Sequence, residues 1–252
     1  MPEPVLSPLY ADTDFNGPLS DARAARIIAS LGSITGHRIV DLGCGWAELL
    51  LRTVATDAAA TGFGIDRDRV AIEHGRANAA ARGLADRVVL EVGDAAGWAA
   101  DEPVDVVFNI GASHVFGGSE LEHTGRALTS AHALLRPGGR LVFGECFWAR
   151  EPTESELSVM PIPLDQLRSL PDLVDFAQAH GFRLLALSRA SIDEWDDFES
   201  RHGLAYERWL LANPTSPDAE DLRTRADEHR TRWLRGWREP LGFAYLTLVR
   251  AD

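Results

Sequence analysis

The sequence predicts a doubly wound α/β domain, a mostly parallel sheet covered by helices on both faces. Three observations lead there. Short apolar runs alternate with stretches of helical periodicity along the chain. Several runs, residues 104–110 above all, are apolar throughout instead of alternating in and out, the pattern of strands buried on both faces. One run, Ile39-Val-Asp-Leu42, leads straight into a glycine turn and then a helical segment.

In chain order, residues 1–20 are rich in Pro, Asp, Asn and Gly and predict an irregular arm anchored by Tyr10 and Phe15. Ala24, Ile27, Ile28 and Leu31 fall at helical spacing behind Ser20 or Asp21, which predicts a helix over 20–31. Strands are expected at 38–42, 61–65, 88–92, 104–110 and 140–147. Helices are expected between them at 47–58, 67–82 and 120–135, the last closed by Pro137-Gly138-Gly139. Residues 149–163 are polar with three prolines and read as a connector or lid. A helix over 164–180 ends at Gly181, and 182–189 alternates like a sixth strand. Two charged, amphipathic helices follow at 192–211 and 219–237, separated by Asn213-Pro-Thr-Ser-Pro217, and 242–249 closes the chain as an apolar strand. Because the helical pair lies between two strands, it reads as a subdomain of one domain.

Composition removes whole reaction classes. The 252 residues carry a net charge of −13, and all 25 basic residues are arginine. Without lysine there is no P-loop nucleotidase, no Schiff-base enzyme and no protein kinase of the ordinary kind. Cys44 and Cys146 lie about a hundred residues apart, which gives no zinc spacing, so no metal site is expected. Met1-Pro-Glu-Pro4 lacks a basic or apolar leader, and no apolar run approaches the ~20 residues of a membrane span. The chain thus reads as cytoplasmic, without membrane association. Its acidity argues against a nucleic-acid partner, whose phosphates need a basic face.

The glycine turn carries the chemistry. In Asp41-Leu-Gly-Cys-Gly45, Gly43 and Gly45 let the backbone approach a ligand where a Cβ would intrude. Asp66 ends the second strand 21 residues beyond Gly45, the spacing at which a carboxylate accepts ribose hydroxyls. Asp94 ends the third strand in Gly93-Asp94-Ala95, where a carboxylate reaches an exocyclic amine. Asp41 holds the loop or meets a cationic group. Each acid alone is as well read as a helix cap or solvated turn. Together they mark the carboxyl edge of such a sheet, where ligands bind. Glu48 stands where a dinucleotide fold has its third glycine, and its charge disfavours a diphosphate and with it an NAD oxidoreductase.

The succession VDLGCGWAE (40–48), GID (64–66), GDA (93–95), DVVFNIGAS (105–113) and LLRPGGRLVFGE (134–145) resembles the class I S-adenosylmethionine-dependent methyltransferases. The motifs span 37–147, with one departure, Ala47 in place of the family's third glycine. The resemblance implies a Rossmann-like seven-stranded sheet whose last strand inserts antiparallel beside the fifth, and S-adenosyl-L-methionine as cofactor. It places Gly43 and Gly45 against the methionine moiety, Asp66 on the ribose, and Asp94 with Ala95 at the adenine, with Arg67 and Asp41 among the cofactor-binding residues. Asn109 and Gly111 would line the space near the transferred methyl. The organisation expected is one domain over 1–252: arm and helix (1–36), cofactor-binding core (37–150), connector and helix (151–181), and a helical insertion capping the substrate (191–240).

Methyl transfer is an in-line displacement, so the protein aligns the partners and excludes water. A base is needed where the acceptor starts protonated. His114, just past the fourth strand, belongs to the residue type suited to that task, or it only packs over the cofactor or caps the Gly117-Gly118 turn. Glu145, ending the fifth strand, is the second candidate, either as base or as binder of a cationic acceptor; its bland reading is an acid held by an arginine. Trp148, Trp195 and Tyr206 are candidates for substrate contact, although tryptophans equally glue a two-helix lid to the body. The expected reaction is transfer to O or N of a small-molecule acceptor by a monomer or homodimer. A protein acceptor and a non-catalytic cofactor-binding scaffold are the alternatives.

Overall fold

The computed structural model describes residues 6–160 and 162–251; Met1-Pro-Glu-Pro4 lies outside them. The elements in order are α1 (Asp21–Ser30), β1 (Arg38–Leu42), α2 (Glu48–Ala55), β2 (Thr61–Asp66), α3 (Arg69–Ala81), β3 (Val88–Val92), β4 (Val104–Ile110), α4 (Glu120–Leu134), β5 (Leu135–Trp148), a single turn α5 (Glu154–Leu157), α6 (Leu170–Ala179), β6 (Phe182–Arg189), α7 (Ile192–Ala212), α8 (Ala219–Arg232) and β7 (Leu241–Arg250).

The strands form one seven-stranded sheet in the order β3-β2-β1-β4-β5-β7-β6, with β7 antiparallel to both neighbours. Apolar side chains leave both faces of the sheet, and each face has its own core. Ile27 of α1 and Leu31 just after it, Leu50 and Leu51 of α2 and Ile72 of α3 cover one face. Leu128 and Ala131 of α4 with Leu173 and Ala177 of α6 cover the other. This double cover is why β1 and β4 are apolar nearly throughout. Strand order reverses between β1 and β4, and the crevice beyond their carboxyl ends is where such sheets take ligands.

Helix starts follow their caps. Ser20 Oγ accepts from Arg23 N at the head of α1, Asp68 accepts from Val70 N and Ala71 N for α3, and Ser119–Glu122 and Ser191–Glu194 form capping boxes for α4 and α7. Three expected boundaries moved by five or six residues, the others by less. The fifth strand starts at Leu135, because Pro137-Gly138-Gly139 forms a bulge inside it and does not stop the preceding helix; Gly138 supplies the φ of +71° the bulge requires. The helix expected over 164–180 is a 3₁₀ turn (Leu164–Gln166) followed by α6, since Ser169 caps afresh and Pro171 has no N–H to continue an earlier turn. The helix expected over 219–237 is α8 followed by a π-helical turn, Trp233–Trp237.

Candidate functional site

A cavity of about 420 Å³ opens at the β1/β4 switch point. Of the residues singled out from the sequence, Asp41, Gly43, Gly45, Asp66, Arg67, Ala95, Gly111 and His114 line it. The glycine loop is shaped by β4 as well as by any ligand. A Cβ at Gly43 (φ +78°) would sit 2.4 Å from Ala112 Cβ, so a larger residue there would push the loop off the end of β4. Ala47 is the single non-glycine residue with positive φ (59°) among the described residues, and α2 starts directly after it. The departure from the third glycine thus keeps the glycine-like backbone and accepts its strain.

Asp66 organises the loop. Its Oδ2 accepts Gly45 N–H at 2.8 Å and its Oδ1 accepts Asp68 N–H at 2.9 Å, which leaves lone pairs on both oxygens directed at further donors. Asp41 is buried on the cavity wall. Burial, reinforced by the nearby Asp66 charge, pushes its carboxyl up to about 8, and among the described residues no hydrogen bond or cation offsets either effect. A buried acid without a partner among the described residues, facing an open space, suits a cationic ligand. Glu48 behaves differently: it is buried but paired with Arg52 (2.7 Å) and Arg82 (2.7 Å).

The remaining predicted residues lie outside the cavity lining. Asp94 accepts Ala96 N–H and pairs with Arg67 at 2.7 Å, and that guanidinium holds its carboxyl below the usual range; its neighbours Gly93 and Ala95 do line the space. Asn109 is fully buried, and its Nδ2 donates to Leu42 O at 2.9 Å, so it ties β4 to β1. Glu145 is not at a strand end. Strand β5 runs on to Trp148 opposite Leu241, so Glu145 is buried within the sheet, where it accepts from Ser113 Oγ, the residue before His114, and from Cys146 N. Trp148 donates its indole N–H to Leu164 O at 2.8 Å and fastens the connector. Trp195 stands one layer back, its ring edge-on to Phe243 at 6.5 Å, and Tyr206 is half-buried further along α7. Among the described residues no group of three or more His, Cys, Asp or Glu could hold a metal ion.

Two contributors were not foreseen from the sequence. Asp14, Phe15, Asn16, Gly17 and Leu19 of the N-terminal arm wall the cavity, as do Phe243 and Tyr245 of β7. The arm is strapped across α2, α7 and β7. Trp46 Nε1 donates to Asp14 O (2.6 Å), Arg52 pairs with Asp14 (2.9 Å), Arg208 pairs with Asp12 (2.5 Å) and Tyr245 OH donates to Pro18 O (3.0 Å). Phe15 and Tyr10, conspicuous as isolated aromatics in a polar arm, were the available signal. Phe15 lies under Arg52 at 4.7 Å, and Tyr10 stacks on His74 at 3.9 Å.

Comparison with known proteins agrees with this geometry. Residues 35–181 match the family Methyltransf_31, a methyltransferase domain. The Escherichia coli K12 protein YjhP is 30% identical over 236 residues, 93% of each chain. Its X-ray structure superposes with a TM-score of 0.86 over 96% of this chain and 97% of that one. A methyltransferase from Thiobacillus denitrificans, crystallised with S-adenosyl-L-homocysteine, is 30% identical with a TM-score of 0.85 over 96% of each chain. One from Geobacter sulfurreducens, also with S-adenosyl-L-homocysteine, is 27% identical with a TM-score of 0.82 over 96% of each chain. The chain belongs to the class I S-adenosylmethionine-dependent methyltransferase family.

Proposed function

We propose that the protein moves a methyl group from S-adenosyl-L-methionine to O or N of a small-molecule acceptor. The observation that carries this is the single cavity onto which Asp41, Asp66 and His114 all open; about 420 Å³ lies in the range of small-molecule sites. S-adenosyl-L-methionine supplies, when bound, an activated methyl on a sulfonium. The residues fit such a group. Asp66 would accept hydroxyl hydrogen bonds, with Arg67 paired to Asp94 and Ala95 also on the lining; Asp41 would face cationic character; Gly43, Gly45 and Gly111 would leave room for close approach.

The chain's own work is to bind, align and exclude water. His114 stands exposed on a 3₁₀ turn (Ser113–Phe116) at the cavity wall, placed to take the proton of a hydroxyl or ammonium acceptor. Glu145 acts behind it as a positioning residue, holding Ser113 and hence the turn. The arm and β7 close the acceptor side with Phe15, Phe243 and Tyr245, a role the sequence had suggested for Trp148, Trp195 and Tyr206.

Release of S-adenosyl-L-homocysteine in the presence of acceptor tests the assignment of His114. His114→Ala should lower the transfer rate 10²-fold or more, the scale of a lost general base, with cofactor affinity unchanged. Loss of cofactor binding instead would make His114 a structural residue.

A further inference from the structure

The N-terminal arm is fastened differently from the rest of the cavity wall. The glycine loop and the segments after β3 and β4 are tied down through their backbones: Gly43 N–H donates to Ile65 O, Gly93 N–H to Asp66 O and Gly111 N–H to Gly144 O, each at 2.9 Å. Among the described residues the arm has backbone–backbone hydrogen bonds only within itself, around a 3₁₀ turn (Leu9–Ala11) and from Leu19 N–H to Gly17 O. A segment held to the body by side-chain contacts belongs to the part of a fold that opens most readily. Where the arm walls the cavity, those contacts meet at Arg52 of α2. Its guanidinium pairs with Asp14 of the arm at 2.9 Å, with Asp21 of α1 at 2.6 Å and with Glu48 of α2 at 2.7 Å, and lies 4.7 Å from the ring centre of Phe15. Asp14, Phe15 and Glu48 line the cavity, while Arg52 stands outside the lining. A lone exposed ion pair contributes little. One fork shared by three carboxylates, of which Glu48 is buried, fixes direction as well as charge, and it flanks an aromatic face besides.

We infer that Arg52 is the latch of the N-terminal arm, a positioning residue that acts through Asp14 and Phe15 to govern how fast the cofactor enters and leaves the cavity. The inference rests on the transferase reading, which puts S-adenosyl-L-methionine in this cavity. The contacts of Arg52 lie wholly within the protein, so they favour the closed arm alike before and after the cofactor binds. Such a latch slows entry and exit by the same factor and leaves the affinity nearly unchanged.

The test is stopped-flow mixing of S-adenosyl-L-homocysteine with the full chain, followed by tryptophan fluorescence, since Trp46 lines the cavity. Arg52→Gln should raise the association and dissociation rates each by about fivefold or more, with Kd changed by less than about twofold. Glu48 keeps its pair with Arg82 at 2.7 Å in that variant, so its buried carboxylate retains a cation. Asp14→Asn, at a side chain 64% exposed, leaves the core untouched and should raise both rates by a smaller factor. The double variant should fall short of the product of the two single effects, as for residues that act through each other. Unchanged rates in Asp14→Asn and folded Arg52→Gln overturn the inference. Weaker affinity without faster association also overturns it, because that marks a structural residue of the site. A full product in the double variant places the action of Arg52 outside the arm and overturns it too. Failure of the wild type to take up S-adenosyl-L-homocysteine contradicts the transferase reading itself and the latch with it, an outcome distinct from uptake at unchanged rates.

Discussion

Asp41 shows how one residue can tie stability to ligand charge. Its carboxyl lies at about 8 in the folded chain against 3.8 for the ordinary group, because burial and the Asp66 charge both oppose ionisation. The folded pKa is raised, so the residue's contribution to stability is complete below the unfolded value. It is lost progressively as pH rises from about 4 through about 8, and is constant above that. Asp41→Asn removes the titration. Thermal unfolding of the cofactor-free protein should therefore show the variant gaining on the wild type as pH rises from 5 to 8, with the gap levelling off above 8. A gap that does not change with pH would mean that Asp41 is already ionised in the free protein. A cationic ligand reverses the same balance, so its binding should release a proton over this range.

At the scale of elements, the arm and the α7 insertion depend on a buried clamp. Arg23 on α1 and Glu194 on α7 pair at 2.6 Å with both side chains only 10% exposed, and Ser20 Oγ donates to the same carboxylate at 2.5 Å. Burial alone would raise Glu194, but Arg23, Ser20 and Ser191 N–H outweigh it and hold the carboxyl at about 2. Here the folded pKa is depressed, so the clamp is at full strength above about 4.5 and fails as pH falls through about 2. Glu194→Ala leaves the Arg23 charge buried and should cost about 3–5 kcal/mol in denaturant unfolding at neutral pH; a loss below about 1 kcal/mol would show that water replaces the carboxylate. What the sequence made legible at this scale was local. Apolar runs, serine caps and the loop from Asp41 to Gly45 announce themselves within a few residues, and β3, β4 and β6 begin and end where periodicity puts them. The position of Glu145 inside the sheet escapes a local reading because it depends on how far β5 runs, which is settled by pairing with β7, about a hundred residues later. The Pro137-Gly138-Gly139 bulge has the composition of a helix stop, and only its pairing partners distinguish the two.

At the scale of the molecule, the sheet order fixes the division of labour. The ends of β1, β2 and β3 bring the acids and glycines to one side of the cavity. Inserting β7 antiparallel next to β5 turns Phe243 and Tyr245 toward the other side, where the N-terminal arm completes the wall. The wall formed by the glycine loop and Asp66 could be read from motifs because its residues sit at fixed offsets from strand ends. The opposite wall could not, since it joins residues 14–19 to residues 243–245. The absence of lysine fits this design: a cation held by carboxylates and backbone asks for acids at strand ends. The central claim, that this cavity holds S-adenosyl-L-methionine through Asp66, is tested most directly by calorimetric titration of the cofactor into wild type and Asp66→Ala. Saturable one-site binding is expected, weakened by about 1–3 kcal/mol in the variant, roughly 5- to 150-fold in affinity, as for lost hydrogen bonds to a charged group. Absence of binding by the folded wild type, or equal affinity in the two proteins, would contradict it.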